Sequence, residues 1–191
     1  MERSNSMSEK RLLRKEALKN RRSMSHEERA LESKSITEKI ISSNEFQQAK
    51  VVFAYVSVED EVHTELLLAE ILRAGKKLCI PYIRDSKNGD MIAVELRSLN
   101  DLVEGAFGIL TAPPYEGKLQ EISAEKIDLI IAPGAAFDGE GHRIGMGGGY
   151  YDRFLNSASK AIKFGIAYKC QFFASIPVEA HDKKVDKVIL P

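Results

Sequence analysis

Residues 51–56, Val-Val-Phe-Ala-Tyr-Val, form a continuous β-prone run with no polar residue to alternate with. A strand wet on one face alternates apolar and polar positions, so a run of this kind fits a strand covered on both faces, as in a parallel sheet. Residues 127–132, apolar apart from Asp128, read as a second buried strand and close on Pro133-Gly134. Residues 162–167 are a third buried candidate, residues 77–80 read as a strand stopped by Pro81, and residues 185–190 are a weaker last strand. Residues 91–96 alternate less clearly and suit an edge.

Helical segments lie between these runs. Ser25-His26-Glu27-Glu28 reads as a capping box, and Ala30, Ser33, Ile36 and Ile40 follow at helical spacing. Thr64 is placed to cap a helix through Arg73 that Gly75 ends. Residues 101–120, rich in Gly and Pro, read as a long loop with short elements. Strands alternating with helices define an α/β fold, expected as three α/β/α layers around a mostly parallel, Rossmann-like sheet. With 191 residues, no internal repeat and no linker, one domain is expected over residues 8–191, behind a disordered extension at residues 1–7.

Charge narrows the partners. Net charge is zero, which gives no overall bias toward nucleic acid or anionic membrane. No stretch approaches the roughly 20 apolar residues that span a bilayer, and the polar, basic N-terminus does not read as a secretory signal. Cys79 and Cys170 lie outside any metal-type spacing, which suits a reducing cytoplasm. The expectation is a cytoplasmic monomer acting on small molecules. Locally, residues 8–22 hold seven basic residues against two acidic ones, a pattern usually found on a solvated helix face.

The informative chemistry follows the strand at residues 127–132. Asp138-Gly139 is a turn signal, and Gly145, Gly147, Gly148 and Gly149 put four glycines in five positions. Without Cβ atoms such a loop can aim successive amides at one anion. Tyr151, Phe154, Leu155 and Ala158 form an apolar stripe, so a helix should begin near Tyr150 and offer its N-terminus to phosphate. Arg143 could add a bidentate contact. The dinucleotide fingerprint fails, because Lys169 stands where an acidic residue is needed, and no Walker loop is present. Asp152 is a plain first-turn acid or a magnesium ligand; His181-Asp182 and Asp186 could supply a second carboxylate. His26, His63 and His142 are scattered and read as surface residues, as do Glu59 and Asp60.

The stretch Gly141-His142-Arg143-Ile144-Gly145-Met146-Gly147-Gly148-Gly149-Tyr150-Tyr151-Asp152 resembles the nucleotide signature of the 5-formyltetrahydrofolate cyclo-ligase (methenyltetrahydrofolate synthetase) family. Lys10-Arg11-Leu12-Leu13-Arg14 with Met24-Ser25, and Pro177-Val178, His181-Asp182 and Val185-Asp186, resemble its two ends, so the likeness covers residues 8–191. Ile144 replaces a more usual leucine, and Gly148 stands where some members carry lysine. The resemblance implies ATP binding by Lys10, Arg11, Leu12, Leu13, Arg14 and the segment from Arg143 to Tyr151, with Arg143 and Tyr151 catalytic. It implies Mg²⁺ on Asp152 and Asp182, and folate on Val56, Glu61 and the segment from Met146 to Tyr150. The implied reaction converts 5-formyltetrahydrofolate to 5,10-methenyltetrahydrofolate at the expense of ATP. The alternatives are a sugar-phosphate isomerase-like enzyme, which needs the glycine loop but neither ATP nor the paired aspartates, and a non-catalytic folate or nucleotide-binding regulator that keeps the pocket without turnover.

Overall fold

The computed structural model describes residues 2–179 and 182–191, with side chains from residue 8 onward. Helix α1 (Glu2–Ser23) opens the chain and takes in residues 2–7, where the sequence suggests an unstructured extension. Helix α2 (His26–Ile41) begins at the expected capping box: the Glu28 amide donates to Ser25 Oγ at 3.1 Å and the Ser25 amide to Glu28 Oε2 at 2.8 Å. Its buried stripe is Ser33, Ile36, Thr37 and Ile40, while Ala30 is exposed. A short helix α3 (Asn44–Gln48) leads into strand β1 (Val51–Ala54).

Helix α4 (Glu65–Arg73) follows and gives way at Gly75, whose φ of 69° lies in the left-handed region. Thr64 does not cap it. Its hydroxyl donates to the Tyr55 carbonyl at 2.8 Å and accepts from the Ser57 amide at 3.0 Å, fastening the end of β1 instead. Strand β2 (Lys77–Asp85) runs on through Pro81, against expectation, and pairs antiparallel with β3 (Asp90–Leu96). The ladder with β1 reaches only Cys79, so at Pro81 no N–H is needed on that side of β2, and its carbonyl accepts instead from Thr111 Oγ1 at 2.7 Å. The loop region contains a hairpin, β4 (Val103–Glu104) and β5 (Leu110–Thr111), and then β6 (Glu121–Ile122). Since β6 pairs with β3, β3 is not the edge.

Strand β7 (Leu129–Ala132) is buried in full and leads to a second hairpin, β8 (Ala136–Phe137) and β9 (Arg143–Ile144). Helix α5 (Tyr150–Ser157), strand β10 (Ile162–Ile166) and strand β11 (Lys187–Ile189) complete the chain. The seven-stranded sheet has the order β11-β10-β7-β1-β2-β3-β6. The first five strands are mutually parallel, and β3 alone runs against the others, antiparallel to both β2 and β6.

Alternate residues of the central strands supply two cores. Val52, Ala54, Leu129 and Ile131 pack with Ile36, Ile40, Leu67 and Ile71 of α2 and α4. Phe53, Ile130 and Ala132 pack with Phe154, Leu155 and Ala158 on the other face. Each large aliphatic side chain buried this way is worth roughly 1.5–3 kcal/mol, which explains why these strands carry no polar alternation. Helix α1 joins through Leu13 and Ala17, which meet Ala136 and Ile144 of the second hairpin. Among the described residues no helix is long and apolar enough to cross a membrane.

Candidate functional site

The carboxyl ends of β1 and β7 open on a cleft of about 1450 Å³ whose walls include Tyr55 and Val56 after β1, and Pro133 and Gly134 after β7. Open α/β sheets bind ligands at this edge. The segment from Arg143 to Asp152 lines the cleft, together with Lys10, Arg11, Arg14, Val56, Glu61 and Asp182. Leu12 and Leu13 do not. Leu12 is 63% exposed beside a separate groove, and Leu13 faces the hairpin core. His181 lies outside the described residues. Asp186 is held at the sheet, accepting from the Lys163 amide at 2.7 Å, and does not line the cleft.

The glycine loop is fixed from both flanks. Gly147 (φ 101°) and Gly149 (φ 67°) adopt conformations that side chains disfavour, and Gly149 is the N-cap of α5. Arg14 Nε donates to the Gly145 carbonyl at 2.7 Å, which is how α1 reaches a loop 131 residues away. On the other flank Arg153 Nη2 donates to the Gly148 carbonyl at 2.8 Å and to Gly89 at 3.0 Å, in the turn between β2 and β3. Its guanidinium lies 5.5 Å from the Tyr150 ring, and the Tyr150 hydroxyl donates to the Ser86 carbonyl at 3.3 Å. Sequence reasoning missed Arg153. The signal was its i, i+3 spacing from Tyr150, which puts both on one helix face.

Arg143 is 6% exposed and donates Nη2 to Asp152 Oδ1 at 2.8 Å, with the Tyr151 ring 5.6 Å away. Its Nε is buried with no partner among the described residues. Burial pulls its pKa down, while Asp152, Tyr151 and Asp182 hold it up; arginine nonetheless keeps its charge in proteins. A guanidinium with a donor still to satisfy can receive an anion. The Tyr151 hydroxyl is also buried without a partner, and burial, with Glu61 nearby, drives its pKa upward.

Lys10, 8% exposed, donates Nζ to Glu179 Oε2 at 2.9 Å and also to Asp182 Oδ2. Lys10 and Arg14 therefore share a helix face with different partners, Lys10 paired with two carboxylates and Arg14 hydrogen-bonded to a carbonyl. Asp152 and Asp182 both act on Arg143, and the Lys183 amide approaches Asp152 Oδ1 at 3.4 Å. Two part-exposed carboxylates beside a phosphate-type loop fit magnesium, which takes one or two carboxylates and completes its shell with phosphate and water. No group of three His, Cys, Asp or Glu among the described residues offers an all-protein cage.

Glu61 stands in the turn after β1, where its Oε2 accepts from the Val58 amide at 3.2 Å. Burial raises its pKa, and the Val58 amide and Arg21 only partly offset this. Asp60 is no solvated surface acid, since Arg21, 4% exposed, donates Nη2 to its Oδ1 at 2.8 Å. Nor is Arg21 part of a solvated face. His142 is likewise drawn in, its Nδ1 3.0 Å from Oδ2 of buried Asp138. Burial pushes the Asp138 pKa up, but hydrogen bonds from His142, Ile176 and Glu140 outweigh it and leave the carboxyl below its ordinary range. His26 is exposed and His63 half-buried.

A three-layer α/β domain with an anion-type glycine loop, a buried guanidinium and two carboxylates at its carboxyl edge defines the class. The chain belongs to the 5-formyltetrahydrofolate cyclo-ligase family, whose model matches residues 6–191. It is 36% identical over 191 residues to the mouse 5-formyltetrahydrofolate cyclo-ligase, covering 95% of this chain and 93% of the mouse one. The enzyme of that name from Escherichia coli K12 is 31% identical over 148 residues, 75% of this chain and 79% of its own. Among solved structures, the 5,10-methenyltetrahydrofolate synthetase of Aquifex aeolicus superposes with a TM-score of 0.82 at 37% identity, covering 94% of this chain and 88% of that one. The mostly parallel sheet expected from the sequence is the one this chain has, with seven strands.

Proposed function

We propose that the protein converts 5-formyltetrahydrofolate to 5,10-methenyltetrahydrofolate with ATP and Mg²⁺, releasing ADP and phosphate. The observation that carries this reading is the convergence on one cleft of an anion-type loop with Arg143, two aspartates, and the half-buried carboxylate of Glu61. At about 1450 Å³ the cleft exceeds the roughly 300–1,000 Å³ typical of a single small ligand, so two substrates fit side by side.

The formyl oxygen at N5 is a poor leaving group. Transfer of the γ-phosphoryl group to it forms the O–P bond and breaks the bond to ADP, leaving an activated iminium phosphate. N10 then attacks the formyl carbon and gives up its proton to solvent, the ring closes, and the formyl oxygen departs with the phosphoryl group as inorganic phosphate. Such transfer is mostly positioning and charge neutralisation. Arg143, Lys10, Arg11 and Arg14 would neutralise and orient phosphates, with amides of residues 145–149 completing the cradle and Tyr151 beneath it. Asp152 and Asp182 would hold the magnesium ion, which when bound neutralises phosphate charge. Glu61, flanked by Val56 and the Met146 to Tyr150 segment, would accept hydrogen bonds from N–H groups of the folate ring. The same reading takes the protein as a cytoplasmic monomer with small-molecule ligands.

Mixing the protein with 5-formyltetrahydrofolate and MgATP should generate the methenyl chromophore and an equal amount of ADP, and excess chelator should stop both. Folate binding without product would leave a regulator, and phosphate binding without folate binding an isomerase-like enzyme.

A further inference from the structure

The turn that carries Glu61 is held from behind by side chains that do not line the cleft. Tyr168, fully buried just past β10, donates its hydroxyl to the Glu61 carbonyl at 2.7 Å. The same hydroxyl lies 3.1 Å from Ser33 Oγ of α2, which accepts from the His63 amide at 2.9 Å. From α1, buried Arg21 donates to Asp60 Oδ1 at 2.8 Å. Burying a phenol, a hydroxyl and a guanidinium is costly unless each is satisfied. Each finds a partner within residues 60–63, and the Tyr168 and Ser33 hydroxyls also meet each other. Among the described residues only Arg21 Nε and Asp60 Oδ2 of this network are left without a hydrogen-bond partner. Three elements thus spend buried polar groups on a short turn whose one ionisable group facing the cleft is Glu61.

We infer that Tyr168 and the Arg21–Asp60 pair are positioning residues for the folate half of the site. They fix the main chain of residues 60–63 so that the Glu61 carboxylate stands still in the cleft. The inference rests on the reading of Glu61 as the folate-binding carboxylate. A carboxylate that must meet ring N–H groups needs placement to about 0.5 Å, which packing and hydrogen bonds behind it supply. The nucleotide loop has its own supports in Arg14 and Arg153, so slackening the turn at residues 60–63 should spare ATP.

The test is steady-state kinetics in both substrates for wild type, Tyr168→Phe, Glu61→Gln and the double variant, with melting curves for each. Tyr168→Phe keeps the ring and removes only the donor. It should raise the folate KM about fivefold with the ATP KM unchanged, and the increase should vanish in the Glu61→Gln background, because residues acting as a unit are not additive. A merely structural tyrosine would lower the melting temperature without that background dependence. An unchanged folate KM, an equal rise in both KM values, or additive effects would each overturn the inference while leaving Glu61 in its role. If Glu61→Gln alone leaves the folate KM unchanged, the reading of Glu61 fails and the positioning role falls with it. Should Tyr168→Phe melt too low to assay, Asp60→Asn takes its place in the same cycle with the same expected and overturning results.

Discussion

Arg143 and Glu61 hold opposite charges in similar surroundings, and burial works against both. For Arg143 the partner is Asp152, with Nε still unmatched. Arg143→Ala should remove a charge-assisted phosphate contact worth about 1.5–3 kcal/mol, raising the apparent KM for ATP about tenfold or more in steady-state assays. Arg143→Lys should recover only part of this, since an ammonium cannot reproduce the planar fork. For Glu61 the raised pKa has a stability consequence. Folded protein binds the proton more tightly than unfolded protein, so stability falls as pH rises from the ordinary glutamate value of about 4.3 through the raised folded value. Above that window the charged carboxylate is a net cost. Glu61→Gln should therefore melt higher than wild type at pH 7, with the difference closing as pH falls toward about 4. The same variant should bind folate about tenfold more weakly, a loss typical of a hydrogen bond to a charged group, with ATP affinity barely changed. Melting curves and separate calorimetric titrations of the two ligands read both effects.

At the scale of elements, helix α1 touches both halves of the cleft: Arg14 meets the glycine loop, and Arg21, two turns on, meets the turn bearing Glu61. Arg14→Ala should raise the KM for ATP in kinetic assays, with little loss of stability. The hairpin of β8 and β9 depends on Gly141, with φ 81°, where a Cβ would sit 2.2 Å from the Val185 carbonyl oxygen. Val185 N in turn donates to Gly141 O at 2.8 Å, so the segment before β11 cannot back away cheaply. Gly141→Ala should cost about 1–3 kcal/mol from its backbone conformation, with the clash added, and denaturant melts should show it. The capping box at Ser25 was legible because both partners lie within four residues. Thr64 misled because its hydroxyl answers to Tyr55, nine residues back, rather than to the helix it precedes. Asp60 and Arg21 looked solvated for the same reason, since their pairing spans 39 residues and exists only once α1 has packed.

Across the whole molecule, the two-sided burial of β1 and β7 was legible because unbroken apolar runs have no other stable use in a sheet. The order of the strands was not, because it depends on which helix covers which face. The passage of β2 through Pro81 was not, because it depends on how far a neighbour reaches. The glycine loop, Arg143 and Asp152 were legible for a chemical reason, since glycines, an arginine and an aspartate at close spacing have few joint uses. Lys10, Arg14, Glu61 and the choice of Asp182 came instead from the resemblance to the family. Arg153 and Tyr168 escaped because their partners, Gly89 and Glu61, lie 64 and 107 residues away. The central claim is that this cleft activates a formyl oxygen by phosphorylating it. The most direct measurement supplies 5-formyltetrahydrofolate labelled with ¹⁸O in the formyl group, together with MgATP, and follows the label by mass spectrometry as the methenyl chromophore appears. The account requires the released phosphate to carry the label, one atom for each product formed. Unlabelled phosphate accompanying the product, or no product from protein that binds both ligands, would contradict it.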